Sequence, residues 1–277
     1  MKIPKELYIP YDEISHYLFS LSPDKWNAVL NQSITFNDNN HPVYVKINST
    51  SSEPLNWFDK LILSACIAQQ QLNIGFTTLA IIWRSLGIHT VFRECHRQIL
   101  SASVEKLRNT NITIECSDKN QPIISNTLLP VEVDTSYTKQ VRGHNCKYVI
   151  YFLEESPISQ YARINNQVLK VNSKKHISIP NLDNNMYVIK LKTYLYYRIK
   201  LLTRTYTMYD TIMLDTILNE CGLPRDNKVI QFITLILEYY KNSNILADYE
   251  FIDKYSDLYV DKRQYLEQIY LKAVPIS

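Results

Sequence analysis

One succession of elements occurs twice in this chain, at a nearly constant interval. In the first copy a helical segment opens after Asn56, with Phe58, Leu61, Ile62, Ala65 and Cys66 on one face. It stops near Asn73 and Gly75, where glycine suits a left-handed position. Thr77 or Thr78 caps a second helix over 79–86, which ends at Gly87. After the turn Ile88-His89-Thr90 a third helix spans about 91–109, with Phe92, Cys95, Ile99 and Leu107 as its apolar side. Ile112 and Ile114 then alternate with polar residues, and residues 117–120 suit the tip of a hairpin.

The second copy repeats this order. Asn185 precedes a helix to about residue 202, and 209–220 form another that ends at Gly222. Pro224 opens a third helix to about residue 242, with Val229, Phe232, Ile233, Ile236 and Tyr240 inward, and a strand follows over 247–252. Gly87 and Gly222, Asn109 and Asn244, and Ile112 and Ala247 are all 135 residues apart. Two copies make a duplication, not a solenoid. Three helices and a two-stranded wing are the winged-helix order. The predicted fold class is α+β: two tandem winged-helix domains, 1–135 and 136–277, with a β-rich connecting region.

The remaining segments are less regular. Short helices are expected over 11–21 and 23–30, and a strand over 41–48 carrying Val43, Val45 and Ile47. The middle reads as strands at 128–133, 148–153, 167–171 and 177–179, with a turn at Arg142-Gly143-His144-Asn145 and a helix opened by Ser156-Pro157. Tyr259, Leu266, Ile269 and Tyr270 predict an amphipathic closing helix within 255–276.

The third helices carry the candidate chemistry. Arg93, Arg97, Ser101 and Arg108 recur at spacings of 4, 4 and 7, so they share a face. Arginine suits bidentate contact with guanine, and serine contacts base or phosphate. Taken alone, such charges usually mean a solvated helix face; the preceding turn and the following wing favour DNA contact instead. The second third helix offers Lys228, Gln231, Thr234 and Lys241, with Glu238 opposing phosphate contact. Arg198, Lys200 and Arg204 suit either backbone contact or a helix dipole. Lys170, Lys174 and Lys175 suit protection of a strand edge.

Composition permits DNA binding without demanding it: 30 basic side chains face 27 acidic ones, a net charge of +3. Five cysteines with no CxxC pair support neither a disulfide framework nor a zinc ribbon, and a reducing cytoplasm is expected. The six histidines form no His-x-His pair, and Walker-type, HExxH and GxSxG motifs are missing. Cys95 beside His96 is expected as a core cysteine. The reading is a non-enzyme with no cofactor, no metal and no membrane segment.

Trp57-Phe58-Asp59-Lys60-Leu61-Ile62-Leu63-Ser64-Ala65, Phe76-Thr77, Leu86-Gly87 and Ser103-Val104-Glu105-Lys106-Leu107 also carry a resemblance. So do Leu128-Leu129-Pro130, Ser156-Pro157-Ile158, Asn166-Gln167-Val168-Leu169 and Lys192-Thr193-Tyr194-Leu195. Across about residues 40–255 the chain resembles the replication initiators of plasmids and related mobile elements. That resemblance implies two winged helices binding double-stranded DNA at repeated origin sites, as monomer or homodimer, with host replication proteins as partners. In such initiators the second unit contributes more to base reading, whereas here the stronger basic face belongs to the first. Two other readings stand beside it: a winged-helix transcriptional regulator, and a protein-interaction module of a phage or mobile element.

Overall fold

The strand β1 (Glu6–Pro10) leads into two short helices, each opened by a side-chain cap. Asp12 accepts from the Ser15 amide at 2.7 Å to start α1 (Glu13–Leu18). Ser22 and Pro23 start α2 (Pro23–Val29). The structure is a computed structural model. It describes residues 3–4, 6–38, 41–86, 91–117, 122–136, 140–141, 144–145, 148–172, 179, 182, 186–202, 211–224, 226–253 and 269–275.

Next, β2 (Ser33–Asp38) and β3 (His41–Ser49) form a hairpin. Val43, Val45 and Ile47 turn inward while Tyr44 and Lys46 face solvent, the expected alternation. The helix α3 (Trp57–Gln71) begins with a reciprocal cap. Asn56 accepts from the Phe58 and Asp59 amides, and the Asp59 carboxylate accepts the Asn56 N–H at 3.0 Å. Every residue from Trp57 to Gln69 is buried, so α3 is a core helix covered on all sides. The left-handed residue beyond it is Asn73, with φ 54°, and not Gly75.

A strand missed by the sequence reading, β4 (Phe76–Thr78), runs directly into α4 (Leu79–Ser85). Gly87 and the turn at 88–90 lie outside the described residues. The third helix, α5 (Glu94–Arg108), buries Leu100, Ser103, Val104 and Leu107. Its expected apolar side was therefore out of phase: Cys95 and Ile99 are exposed, and Cys95 is no core cysteine. Phe92, ahead of the helix, clusters with Trp83 and His96.

The hairpin after α5 forms but joins a different sheet. Here β5 (Thr110–Cys116) lies between β3 and β6 (Ile124–Thr127), in the order β2-β3-β5-β6. Val43, Val45, Ile47, Ile112, Ile114 and Ile124 are the buried face that holds it there. Farther on come β7 (Val131–Asp134), β8 (Gln140–Val141), β9 (His144–Asn145) and β10 (Val149–Phe152). The strand β10 pairs with both β4 and β7, in the order β4-β10-β7. Between β7 and β10, β8 and β9 pair across the expected turn, whose Arg142 and Gly143 lie outside the described residues. Last in this unit, α6 (Pro157–Ile164) leads to β11 (Val168–Asn172), which pairs with β1.

The chain divides into units 1–174 and 175–277. The boundary expected at 135/136 falls inside the first, because β10 pairs back to β4 and β11 to β1. The β-rich stretch thus completes the first unit instead of connecting two. The strand expected at 177–179 lies largely outside the described residues.

The second unit opens with α7 (Met186–Leu202), buried along most of its described length. Next, β12 (Thr211–Met213) feeds α8 (Leu214–Cys221), which Gly222 ends in the left-handed conformation at φ 58°. Asp226 caps α9 (Asn227–Asn242), whose inward side is Val229, Ile233, Ile236, Leu237 and Tyr240. Finally β13 (Leu246–Asp253) and β14 (Ile269–Pro275) give the order β12-β14-β13. The closing helix expected over 255–276 is a strand throughout its described part, 269–275. Ile269, Tyr270, Leu271 and Val274 favour strands, and β14 has a hydrogen-bonding neighbour on each side. Residues 254–268 lie outside the described residues.

Both units are α+β with one winged-helix connectivity: helix, strand, helix, helix, strand, strand. In each, the first strand of the three-stranded sheet lies beside the last.

Candidate nucleic-acid interface

The two units superimpose as sequences once their elements are known. In α4 and α8 the buried pairs are Leu79/Leu214, Ile82/Ile217 and Trp83/Leu218, all 135 apart. The third helices start at Glu94 and Asn227, so their interval is 133. In that register the buried pairs are Leu100/Ile233, Ser103/Ile236, Val104/Leu237 and Leu107/Tyr240. Asn109 therefore falls opposite Asn242, not Asn244.

The outward stripes match as well. Gln98 and Gln231 are equivalent and both exposed, followed one turn on by exposed Ala102 and Leu235. Glu105 and Glu238 are equivalent too, and each accepts a tyrosine hydroxyl. Tyr148 donates to Glu105 at 2.8 Å, and Tyr249 of β13 donates to Glu238 at 2.7 Å. Burial and the Glu105 carboxylate push the Tyr148 hydroxyl well above its ordinary range.

The expected arginine face lies beside the buried stripe, not at the centre of the exposed one. Arg93 is the N-cap residue of α5, exposed, and its side chain meets no partner among the described residues. Its backbone N–H donates to His96 Nδ1 at 3.1 Å. Desolvation, then the nearby Arg93 cation, holds His96 below the ordinary histidine range, which keeps that nitrogen free to accept. Arg97 is tied to Glu94 at 2.5 Å and Arg108 to Glu105 at 3.3 Å. Ser101 is half-buried and donates to the Gln98 carbonyl.

In α9, Lys228 and Gln231 are exposed and unengaged among the described residues. Thr234 is half-buried and donates to the Ile230 carbonyl at 3.0 Å, and Lys241 pairs with Asp248 at 2.8 Å. The sequence reading missed Gln98, Leu235 and exposed Arg84 at the end of α4. Setting the buried phase of α5 on Leu100, Val104 and Leu107 would have placed Gln98 outward.

Other basic residues have local roles. Arg198 lies 5.9 Å from the Tyr194 ring, and Lys170 5.6 Å from the Tyr8 ring across the β1–β11 edge. Lys174, Lys175 and Arg204 lie outside the described residues, and the Lys200 side chain is not described. Among the described residues, no group of three or more His, Cys, Asp or Glu could hold a metal ion, and no helix is long and apolar enough to cross a membrane.

No protein-family model and no curated protein matches the chain. Solved structures similar to it include two of RctB. Domains 2 and 3 of RctB are 10% identical with a TM-score of 0.44, covering 88% of this chain and 91% of that one. Selenomethionine derivatives of the same two RctB domains are 11% identical with a TM-score of 0.43, covering 92% and 98%. A likeness this remote adds nothing to the connectivity described above.

Proposed function

We propose that the chain binds duplex DNA through the third helix of each unit, and that it serves as a replication initiator of a plasmid or related mobile element. The observation that carries the binding is the equivalent solvent-facing stripe on α5 and α9, each preceded by a helix and flanked by a three-stranded sheet. The initiator role rests on the sequence resemblance.

Within α5, Arg93 supplies most of the phosphate contact. An arginine at the N-cap cannot accept from the free amides of the first turn, and its charge opposes the helix dipole. A DNA phosphate satisfies both the amides and the guanidinium. Arg97 and Arg108 contribute less, because Glu94 and Glu105 already hold them. Ser101, Thr234 and Lys241 are engaged locally and add little, whereas Lys228 and Gln231 are available. Residues 135–148, between β7 and β10, include Lys139, Arg142 and Lys147 and no acidic residue, a charge suited to the DNA backbone.

Fluorescence anisotropy with duplex DNA flanking the gene tests this. The chain is expected to bind at 50 mM salt. Arg93→Ala is expected to weaken binding about tenfold and lower the salt slope by about one. No binding at low salt would sink the reading. A vector carrying the gene and its flanking repeats separates the roles: bound repeats without propagation would point to a transcriptional regulator.

A further inference from the structure

Counted from their N-caps, Gln98 and Gln231 occupy the same position on the third helices, the fifth residue after Arg93 and Asp226. Both are exposed, and neither side-chain amide bonds to a described residue. Leu235 follows Gln231 by four residues on the same stripe and is 52% exposed, an apolar side chain open to a partner at that face. The acidic residues nearby are engaged: Glu94 by Arg97, Glu105 by Arg108 and Tyr148, and Glu238 by Tyr249. No arginine lies on the centre of either stripe, since Arg93, Arg97 and Arg108 sit toward the buried side.

These residue types have a defined match in the major groove. Arginine or lysine reads guanine, glutamine makes a bidentate pair with adenine N6 and N7, and apolar side chains meet the thymine methyl group. Residues i and i+4 of a helix lie about 6 Å apart, which reaches one or two base-pair steps of about 3.4 Å. Resting on the DNA-binding reading, we infer that α5 and α9 each read an A·T base pair. Gln98 and Gln231 bind adenine, and Leu235 meets a thymine methyl on a neighbouring pair.

The test uses the full chain and a pool of duplexes with a randomised centre, sequenced after binding at moderate salt. The wild type is expected to enrich A·T pairs at fixed positions. Gln98→Ala and Gln231→Ala should each relax one position and weaken binding to the selected duplex about tenfold. Gln231→Lys should move the preference at its position from adenine toward guanine. Replacing thymine by uracil in that duplex should weaken the wild type several-fold and leave Leu235→Ala unaffected. All three side chains are exposed, and far-UV circular dichroism checks that the variants fold. G·C pairs at the relaxed positions, or unchanged preferences in both glutamine variants, would overturn the inference while leaving DNA binding intact. A chain that retains no duplex at low salt overturns DNA binding itself and this assignment with it.

Discussion

The two units share helices and sheet order but differ in how much chain intervenes. From the end of α9 to β13 the chain passes from Asn242 to Leu246. The corresponding passage in the first unit runs from Arg108 to Val131 and contains the hairpin β5–β6. That hairpin left the order β4-β10-β7 intact because β5 found its neighbour in β3. An insertion with its own apolar face can be absorbed beside a domain without disturbing the strand pairing that defines it.

Their cores differ in the same spirit. Each first helix buries a lysine, Lys60 in α3 and Lys192 in α7. Around Lys60 stand Ser15 Oγ at 3.3 Å, the rings of Trp57 and Phe19 at 5.8 and 5.9 Å, and the buried carboxyl of Asp12. One residue earlier, Asp59 accepts from Lys106 at 2.8 Å and from Ser103 at 2.5 Å. Burial of Lys192, by contrast, pushes its pKa down to about 8. In the first unit buried charges are set against one another, Lys60 beside Asp12 and Lys106 against Asp59, although burial still raises the Asp12 carboxyl; in the second, burial governs Lys192.

The largest test of that contrast is Asp59→Ala. It removes half of the α3 cap and the nearest anion to Lys106, which keeps only Glu53 at 4.0 Å and the Pro54 carbonyl at 3.5 Å, at an expected cost of about 4 kcal/mol to the first unit. Trp26, Trp57 and Trp83 all lie in that unit, so tryptophan fluorescence in urea reports it alone while far-UV circular dichroism reports both. The fluorescence midpoint should fall while a later dichroism transition persists. An unmoved fluorescence midpoint would show that the Asp59 cluster contributes little.

Methionine at the two buried lysines should then act in opposite directions. Lys60→Met leaves Asp12 buried without a cation that favours its ionised form, and should destabilise the first unit by about 3 kcal/mol. Lys192→Met removes a buried ammonium and should stabilise the second by about 2 kcal/mol at pH 7. The pH dependence follows from the depressed pKa. Below pH 8 folded and unfolded chains both carry the Lys192 proton. Between pH 8 and 10.5 only the unfolded chain does, so the wild type gains stability as pH rises. Tyr194 and Tyr240, held well above their ordinary range by burial, reverse that trend beyond about pH 10. In Lys192→Met the gain between pH 8 and 10 should vanish; a retained gain would assign it to another group.

This contrast also marks what could be read from sequence. Helices were legible because their burial repeats on a local period: α3, α6, α7 and α9 lie close to where spacing and caps put them. Strand pairing was not, since nothing local distinguishes β5 as a neighbour of β3 from β5 as a neighbour of β4. The short strands β4 and β12 were absorbed into loop and helix, because three residues show no period. The site suffered from one misleading residue. Exposed Ile99 drew the apolar side of α5 out of phase, which advanced Arg97 and Arg108 and hid Gln98.

Smaller effects separate the equivalent glutamates. Glu105→Ala frees a half-buried Tyr148 hydroxyl and should cost about 1 kcal/mol by urea titration. Glu238→Ala frees a hydroxyl at a more open surface and should cost less. Equal costs would mean that the sheet beside α5 encloses its tyrosine no better than the one beside α9.

The smallest effect concerns the ends of the third helices, where Arg108 and Lys241 occupy equivalent positions. Each spans to an acidic residue, Glu105 at 3.3 Å and Asp248 at 2.8 Å, and both pairs are solvent-accessible. Solvent and salt screen such pairs, so Arg108→Ala and Lys241→Ala should leave the urea midpoints where they are. Either cation could still meet a phosphate by exchanging its carboxylate for the DNA, a trade of one ionic partner for another that gains little. Both variants are therefore expected to keep nearly wild-type affinity where Arg93→Ala loses it. A drop for Arg108→Ala as large as that for Arg93→Ala would move the phosphate contact from the start of α5 to its end, and would restore the whole arginine face to the interface.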